Sequence, residues 1–227
     1  MPEQLRLVVF DVDGTLVDSR AHIVEAVCAA FAAHDLPEPT REAVLHGVGL
    51  SLPEYMAQLV PDQPEAVHAA LADTYRAESL ARHDAASPEA KAILFPGMRD
   101  VLDVLHAEDH TLLATATGMS RRGLDRIIAQ HGLERYFQST QVADTHPSKP
   151  HPSMLFAALS ETGVMSQHAV MIGDTSYDIR MAKAAGVRAI GVTWGNHPAE
   201  HLSDADHIVD TADDLLTTLT RLSEEPA

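Results

Sequence analysis

The sequence predicts an α/β fold with a parallel sheet and an inserted block of helices. Three observations carry this. Short apolar runs recur and stop at polar residues, beginning with Leu5-Arg6-Leu7-Val8-Val9-Phe10 before Asp11. Such runs read as buried strands. From about residue 95 onward, strand and helix patterns alternate, as in a parallel sheet covered by helices. Residues 18 to about 92 read as helices with no convincing strand, so they interrupt the alternation after one strand.

The elements follow in order. The interrupting helices are punctuated at Pro37-Glu38-Pro39, 47–49, Pro53, Pro61 and Pro64. Phe95-Pro96-Gly97 opens a helix to about His106, followed by a strand at 111–116, a helix at 120–131 and a strand at 137–142. A helix at 153–161 has Ser153 as its expected cap, because a hydroxyl there can accept a free amide. Strand 169–173 leads into helix 176–185, which Gly186 stops. Strands at 188–192 and 207–209, a helix at 212–222 and a frayed tail at 223–227 complete the pattern. The expected division is a core of 1–17 and 92–227 with a helical domain of 18–91.

The chain has 227 residues, enough for a sizeable core, and 45% of them are hydrophobic. Cys28 is the only cysteine, so no internal disulfide is expected; it reads as a small core residue in an Ala-rich helix. The opening residues lack a basic segment followed by a long apolar one, and no run is long enough to cross a bilayer. The expectation is a cytoplasmic protein without a membrane partner. The net charge of −17 argues against a nucleic-acid partner, whose binding rests on cationic contacts.

Side chains two apart on a strand share a face, so Asp11 and Asp13 lie side by side where the first strand ends. Ligands of open α/β sheets bind at that end. Gly14 then allows a sharp turn. Adjacent carboxylates repel unless a cation neutralises them. Two readings stay open on these residues alone: a metal-assisted site with a carboxylate nucleophile, or a turn that is merely acidic.

Three further pieces follow. Leu112-Leu113-Ala114-Thr115-Ala116-Thr117-Gly118 is an apolar strand ending in a hydroxyl. Lys149 stands in Pro147-Ser148-Lys149-Pro150, a stiff loop. Val170-Met171-Ile172-Gly173-Asp174 is a strand that runs through Thr175-Ser176-Tyr177-Asp178 into a helix. Acid pair, hydroxyl, lysine and acid pair in this order strongly resemble the haloacid dehalogenase superfamily of phosphohydrolases, over nearly the whole chain. The resemblance implies a Rossmann-like core, with residues 18–91 as a helical cap between the first two motifs.

It also implies roles. Asp11 is the expected nucleophile, forming an aspartyl-phosphate, and Asp13 the expected general acid and base. Asp11, Asp13 and Asp174 are the expected metal residues, with a contribution from the backbone carbonyl of Val12 beside Asp13. Few hard oxygen ligands suit Mg²⁺. Thr117, Gly118 and Lys149 are expected to bind the substrate phosphate. Thr115, on the same strand face as Thr117, is a weaker alternative for the hydroxyl. Asp178 supports the metal shell or Lys149, at i+4 from Asp174 on one helical face if the helix has begun.

The chain departs from many relatives at Met119, where they carry a lysine that helps hold substrate; Arg121 and Arg122 follow closely. The 14 histidines are scattered without the spacing of a zinc motif. His146 and His151 flank Lys149, and His22 begins the first helix of the insertion; each reads as structural or solvated. Trp194 reads as buried, with a rim position as the alternative. The 47–51 loop is the segment of the insertion expected to reach the core.

The implied function is a Mg²⁺-dependent phosphatase of a small phosphate monoester, phosphoglycolate foremost. A sugar phosphomutase and a non-catalytic phosphate-ligand-binding module are the alternatives. The expected partner is a small phosphorylated metabolite, and the expected assembly a monomer or homodimer.

Overall fold

The computed structural model describes residues 5–85 and 92–224. Residues 1–4, residues 86–91 of the expected helical domain, and 225–227 of the expected frayed tail lie outside the described residues.

The chain runs through β1 (Arg6–Phe10), β2 (Val17–Asp18), α1 (Arg20–Ala33), α2 (Arg41–His46), α3 (Leu52–Leu59), α4 (Glu65–Ala85) and β3 (Ile93–Leu94). It continues with α5 (Met98–His106), β4 (Thr111–Thr117), α6 (Arg121–His131), β5 (Phe137–Val142), α7 (Ser153–Thr162) and β6 (Ala169–Gly173). The last elements are α8 (Ser176–Ala185), β7 (Arg188–Val192), β8 (His207–Val209) and α9 (Ala212–Glu224).

Six strands form one sheet in the order β5-β4-β1-β6-β7-β8, and each neighbouring pair is parallel. Strand β1 is central: Phe10 is in register with Thr115 of β4 and with Ile172 of β6. The residues that follow β1, β4 and β6 therefore emerge together at one edge of the sheet. Val8 and Phe10 pack with α5, α6 and α9 on one face, whereas Leu7 and Val9 pack with α7 and α8 on the other. This alternation is the two-residue period of a strand buried on both sides.

Helices α1–α4 bury an apolar cluster of their own, which includes Val27, Phe31, Val44, Met56 and Leu71. The chain enters and leaves them through the antiparallel pair β2–β3, with Val17 opposite Leu94 and Asp18 opposite Ile93. This pair brackets the segment expected to be strand-free, with only Asp18 inside it, and is too short to carry a periodic signal. Among the described residues no helix is long and apolar enough to cross a membrane.

Ser153 is not the cap of α7. Pro152 holds that position without a side-chain bond, and the Ser153 hydroxyl instead meets Nδ1 of His146 at 2.8 Å.

Candidate active site

The first strand delivers two acids through a forced turn. The Asp11 amide donates to the Ile172 carbonyl at 2.9 Å, which carries the sheet pairing one residue past β1. The chain then folds back, and the Val12 carbonyl accepts the amides of Thr15, Leu16 and Val17. Those three bonds turn that carbonyl into the loop, which corrects the expectation that it serves the metal. Among the described residues, the next carbonyl, that of Asp13, has only the long 3.4 Å approach of Asn196 Nδ2. Gly14 takes a positive φ of 88°, and a Cβ there would fall 2.2 Å from Asp174 Oδ2, so only glycine fits.

Asp11 is buried and Asp13 half-buried, and both line one cavity. Ser19 Oγ donates to Asp13 Oδ1 at 2.5 Å. Ser19 stands at the cap position of α1 but makes no capping bond there. Burial pushes the Asp13 carboxyl up despite that hydrogen bond, which favours the charged form.

Strand β6 delivers the second pair. Asp174 is fully buried, with Oδ1 accepting from Thr15 Oγ1 at 3.0 Å and Oδ2 accepting from the amide of Asn196 at 2.7 Å and its Nδ2 at 2.8 Å. Helix α8 starts only at Ser176, so the shared helical face expected for Asp174 and Asp178 does not exist. Asp178 is instead the third residue of α8 in a capping box with Thr175. Its Oδ2 accepts from the Thr175 amide at 3.1 Å and hydroxyl at 2.7 Å. A Cβ on Gly173 would sit 2.3 Å from Asp178, so this glycine too is dictated by the cluster.

Lys149 joins the pairs. Its Nζ donates to Asp11 Oδ1 at 2.6 Å and to Asp178 Oδ1 at 2.7 Å, with the lysine side chain out of contact with solvent. Burial pulls the lysine down, but the two carboxylates outweigh it and hold its pKa above the ordinary value. Asp11 is driven well up, first by burial and then, against the lysine, by the other acids. Asp174 is pushed up to about 7 by burial and by Asp178. Three buried carboxylates thus face one ammonium.

A divalent cation fits this arrangement. Asp11 Oδ2 is buried without a partner among the described residues. Ligand oxygens of Asp11, Asp174 and Asp178 lie within 4.8 Å of one another, and all are hard donors. Asp13 contributes no carboxylate to this group of three.

Strand β4 and the Lys149 loop close the cavity floor. Thr117, Gly118 and Ser148 line it with Asp11 and Asp13; Thr115 does not, and its hydroxyl is buried without a partner among the described residues. Thr117 Oγ1 accepts from the Met119 amide at 3.2 Å. The 47–51 loop reaches the floor as expected. The Ser51 amide donates to Ser148 Oγ at 2.8 Å, and a Cβ on Gly118 would come within 2.6 Å of the Gly49 and Leu50 carbonyl oxygens. The cavity measures about 720 Å³ and runs between this floor and α3, α4 and α6.

The remaining candidates fall outside the chemistry. Both ring nitrogens of His146 are engaged, by Ser153 and by Gln141, although the residue lines the cavity. His151 is exposed, and His22 meets Ser79 at 2.9 Å between α1 and α4. Trp194 is half-buried against the core, and its Nε1 donates to the Thr15 carbonyl at 3.1 Å, bracing the acid loop. His46, His197 and His201 do gather in space, 151 residues separating the first two. His197 accepts from the Ser176 amide on Nδ1 and so donates from Nε2 to the His46 carbonyl. With both nitrogens used, this ring is a tie rather than a ligand.

Ser19, Thr15, Thr175, Ser148 and Asn196 were not singled out for these roles. Thr15 follows the Asp11–Gly14 turn and Thr175 follows Asp174, but their hydroxyls reach carboxylates only through the fold. Asn196 had no signal beyond its place after a strand.

The sequence matches the family model for haloacid dehalogenase-like hydrolases over residues 8–192. It is 36% identical over 229 residues to a probable phosphatase of Dickeya dadantii (strain 3937), with 97% of each chain covered. It is 29% identical over 220 residues to a phosphoglycolate phosphatase of Vibrio parahaemolyticus serotype O3:K6 (strain RIMD 2210633), covering 94% of this chain and 96% of that one. A crystal structure of a predicted phosphatase from Clostridium acetobutylicum superposes with a TM-score of 0.84 at 24% identity, over 96% of this chain and 99% of that chain, a likeness of fold.

Proposed function

The chain belongs to the haloacid dehalogenase-like hydrolase family, and from that premise we propose that it is a Mg²⁺-dependent phosphatase that cleaves a small phosphate monoester through an aspartyl-phosphate on Asp11. The observation that carries this reading is the state of Asp11. One oxygen is held by Lys149, the other has no partner among the described residues, and Asp13 stands beside it in the same cavity.

Lys149 fixes the Asp11 carboxylate and offsets the negative charge of an arriving phosphoryl group. An Asp11 oxygen attacks phosphorus as the ester P–O bond breaks. The leaving oxygen takes the proton of Asp13, whose raised pKa keeps a proton available. Asp13 then removes a proton from water, which attacks phosphorus and breaks the P–O bond to Asp11. Thr117 and the backbone about Gly118 hold the non-bridging oxygens. Asp11, Asp174 and the Asp13 carbonyl would hold the cation, and Asp178 positions Lys149. When bound, the cation lowers charge repulsion between nucleophile and phosphate.

Residues 18–91 act as a cap over the core of 1–17 and 92–227 in this reading. The Ser51–Ser148 bond and the contact of the 47–51 loop with Gly118 support it. The names of the relatives support phosphoglycolate as the first substrate to assay. The partner is then a small phosphorylated metabolite, and the composition with its single cysteine supports a cytoplasmic setting.

The test is phosphate release from phosphoglycolate and an aryl phosphate with Mg²⁺ and with excess chelator, beside Asp11→Asn. Wild type turns over only with the metal, and Asp11→Asn falls by orders of magnitude. Retention by Asp11→Asn of more than about a tenth of the rate overturns the covalent assignment. Isomerised sugar phosphate without free phosphate would mark a mutase instead.

A further inference from the structure

The cavity has a second charged feature, away from the acids. Arg122 and Arg126 lie one turn apart on α6, and both line the cavity. Neither has a hydrogen bond or ion pair among the described residues. The acids near them are engaged: Asp125 lies 3.8 Å from Arg121, and Asp144 accepts the Arg121 amide. Arg76, which also lines the cavity, is held by Asp73 at 2.7 Å. The other carboxylate on the wall is Glu54 in α3.

Like charges four apart on a helix repel. The chain has 33 acidic and 16 basic side chains, so partners for an arginine are plentiful. Arg122 is exposed and Arg126 half-buried, so both guanidinium groups are open to an anion that enters the cavity. His22, nearby, is held below the ordinary histidine value first by burial and also by cations that include Arg126.

Size points the same way. A cavity of about 720 Å³ suits a far larger ligand than a phosphorylated two-carbon acid. Helix α6 starts beside the Thr117-Gly118 floor, and Arg126 lies about 6 Å further along its axis than Arg122. Met119, Leu80 and Tyr75 also line the cavity and suit an apolar or ring-bearing body.

We propose that Arg122 and Arg126 form a second anion site, and that the substrate is a phosphate monoester bearing another anionic group several bonds beyond the scissile phosphate. This rests on the phosphatase reading above. Guanidinium groups bind carboxylate or phosphate oxygens in bidentate fashion. Phosphoglycolate is the shortest member of such a class, and longer members reach further along α6.

The test compares ω-carboxyalkyl phosphates of increasing length, starting from phosphoglycolate, with neutral alkyl phosphates of equal length. The ratio of kcat/KM for acidic over neutral ester exceeds about ten in wild type and rises beyond phosphoglycolate. It falls at least about tenfold in the Arg122→Gln/Arg126→Gln double variant, and Arg126→Lys retains part of it. A wild-type ratio near one, or a ratio unchanged in the double variant, overturns the proposal. If no ester is hydrolysed, the phosphatase reading fails, and calorimetric titration with matched carboxyalkyl- and alkylphosphonates decides the anion site separately. Preference for the carboxylated phosphonate, lost in the double variant, upholds it; equal binding overturns it.

Discussion

The Ser19 hydroxyl donates to Asp13 Oδ1 at 2.5 Å. The acid proposed for proton transfer is thereby tied to the first residue after β2, where the chain leaves the sheet for the helices. The bond favours the carboxylate and opposes the burial that raises the Asp13 pKa. Ser19→Ala removes the opposition, so Asp13 holds its proton to higher pH. The alkaline limb of kcat/KM should move up by about one pH unit, read from a pH–rate profile. An unmoved limb would detach Asp13 from that limb.

Asp13→Asn should lose turnover unequally. An alkyl phosphate needs its leaving oxygen protonated, whereas an aryl phosphate needs little help. The loss in kcat should be at least about tenfold larger for the alkyl ester. Equal losses would assign Asp13 to structure or metal binding.

Asp174 gives a pH-dependent stability with a defined sign. Its folded pKa of about 7 lies above the ordinary carboxylate value of 3.8. Relative to an uncharged side chain, its contribution is fully present below about pH 4 and is lost as pH rises through about 7. In chelator, Asp174→Asn should therefore melt higher than wild type at pH 8 by several °C, roughly, with the gap closing toward pH 4. Addition of Mg²⁺ should raise the wild-type melting temperature and leave the variant unmoved. Parallel melting curves across pH would contradict the assignment.

Lys149→Met leaves Asp11 and Asp178 buried without their shared cation. Loss of one partner from a buried pair costs about 3–5 kcal/mol, so the melting temperature should drop sharply. Phosphate release should fall by at least about a hundredfold. Wild-type stability and turnover in this variant would refute a central role for the ammonium.

Gly118→Ala places a methyl group within 2.6 Å of the Gly49 and Leu50 carbonyl oxygens. The 47–51 loop must shift, at a cost of about 1–3 kcal/mol. A displacement of that size should lower kcat/KM by about tenfold or more. Normal kinetics with normal melting would show that the loop does not govern the floor.

Much of the sheet was legible because β1, β6 and β7 are buried on both faces and read as short apolar runs, as in Val170–Gly173. The acids were legible because Asp11 and Asp13 follow one strand and Asp174 another. Ser19 was not, since nothing in the sequence tells whether a serine caps its own helix or bonds a side chain six residues back. Asp178 bonds Lys149 and also joins the group of three acids, and the spacing that positions it is the three residues of a capping box with Thr175 rather than a shared helical face, because α8 starts after Asp174. The pair β2–β3 escaped notice because two residues cannot show a period. The tie between His46 and His197 joins residues far apart in sequence, and pattern alone does not reach across that distance.

Val17 opposite Leu94 and Asp18 opposite Ile93 make the way out and the way back a single doorway. Apart from Ser19, which bonds Asp13, and the 47–51 loop, which meets the cavity floor, the segment between them can grow, shrink or be exchanged while both doorposts stay put. The sheet register and the acid loop lie on the near side of that threshold. A lineage could therefore rebuild the substrate-facing helices wholesale without disturbing the residues that carry the reaction.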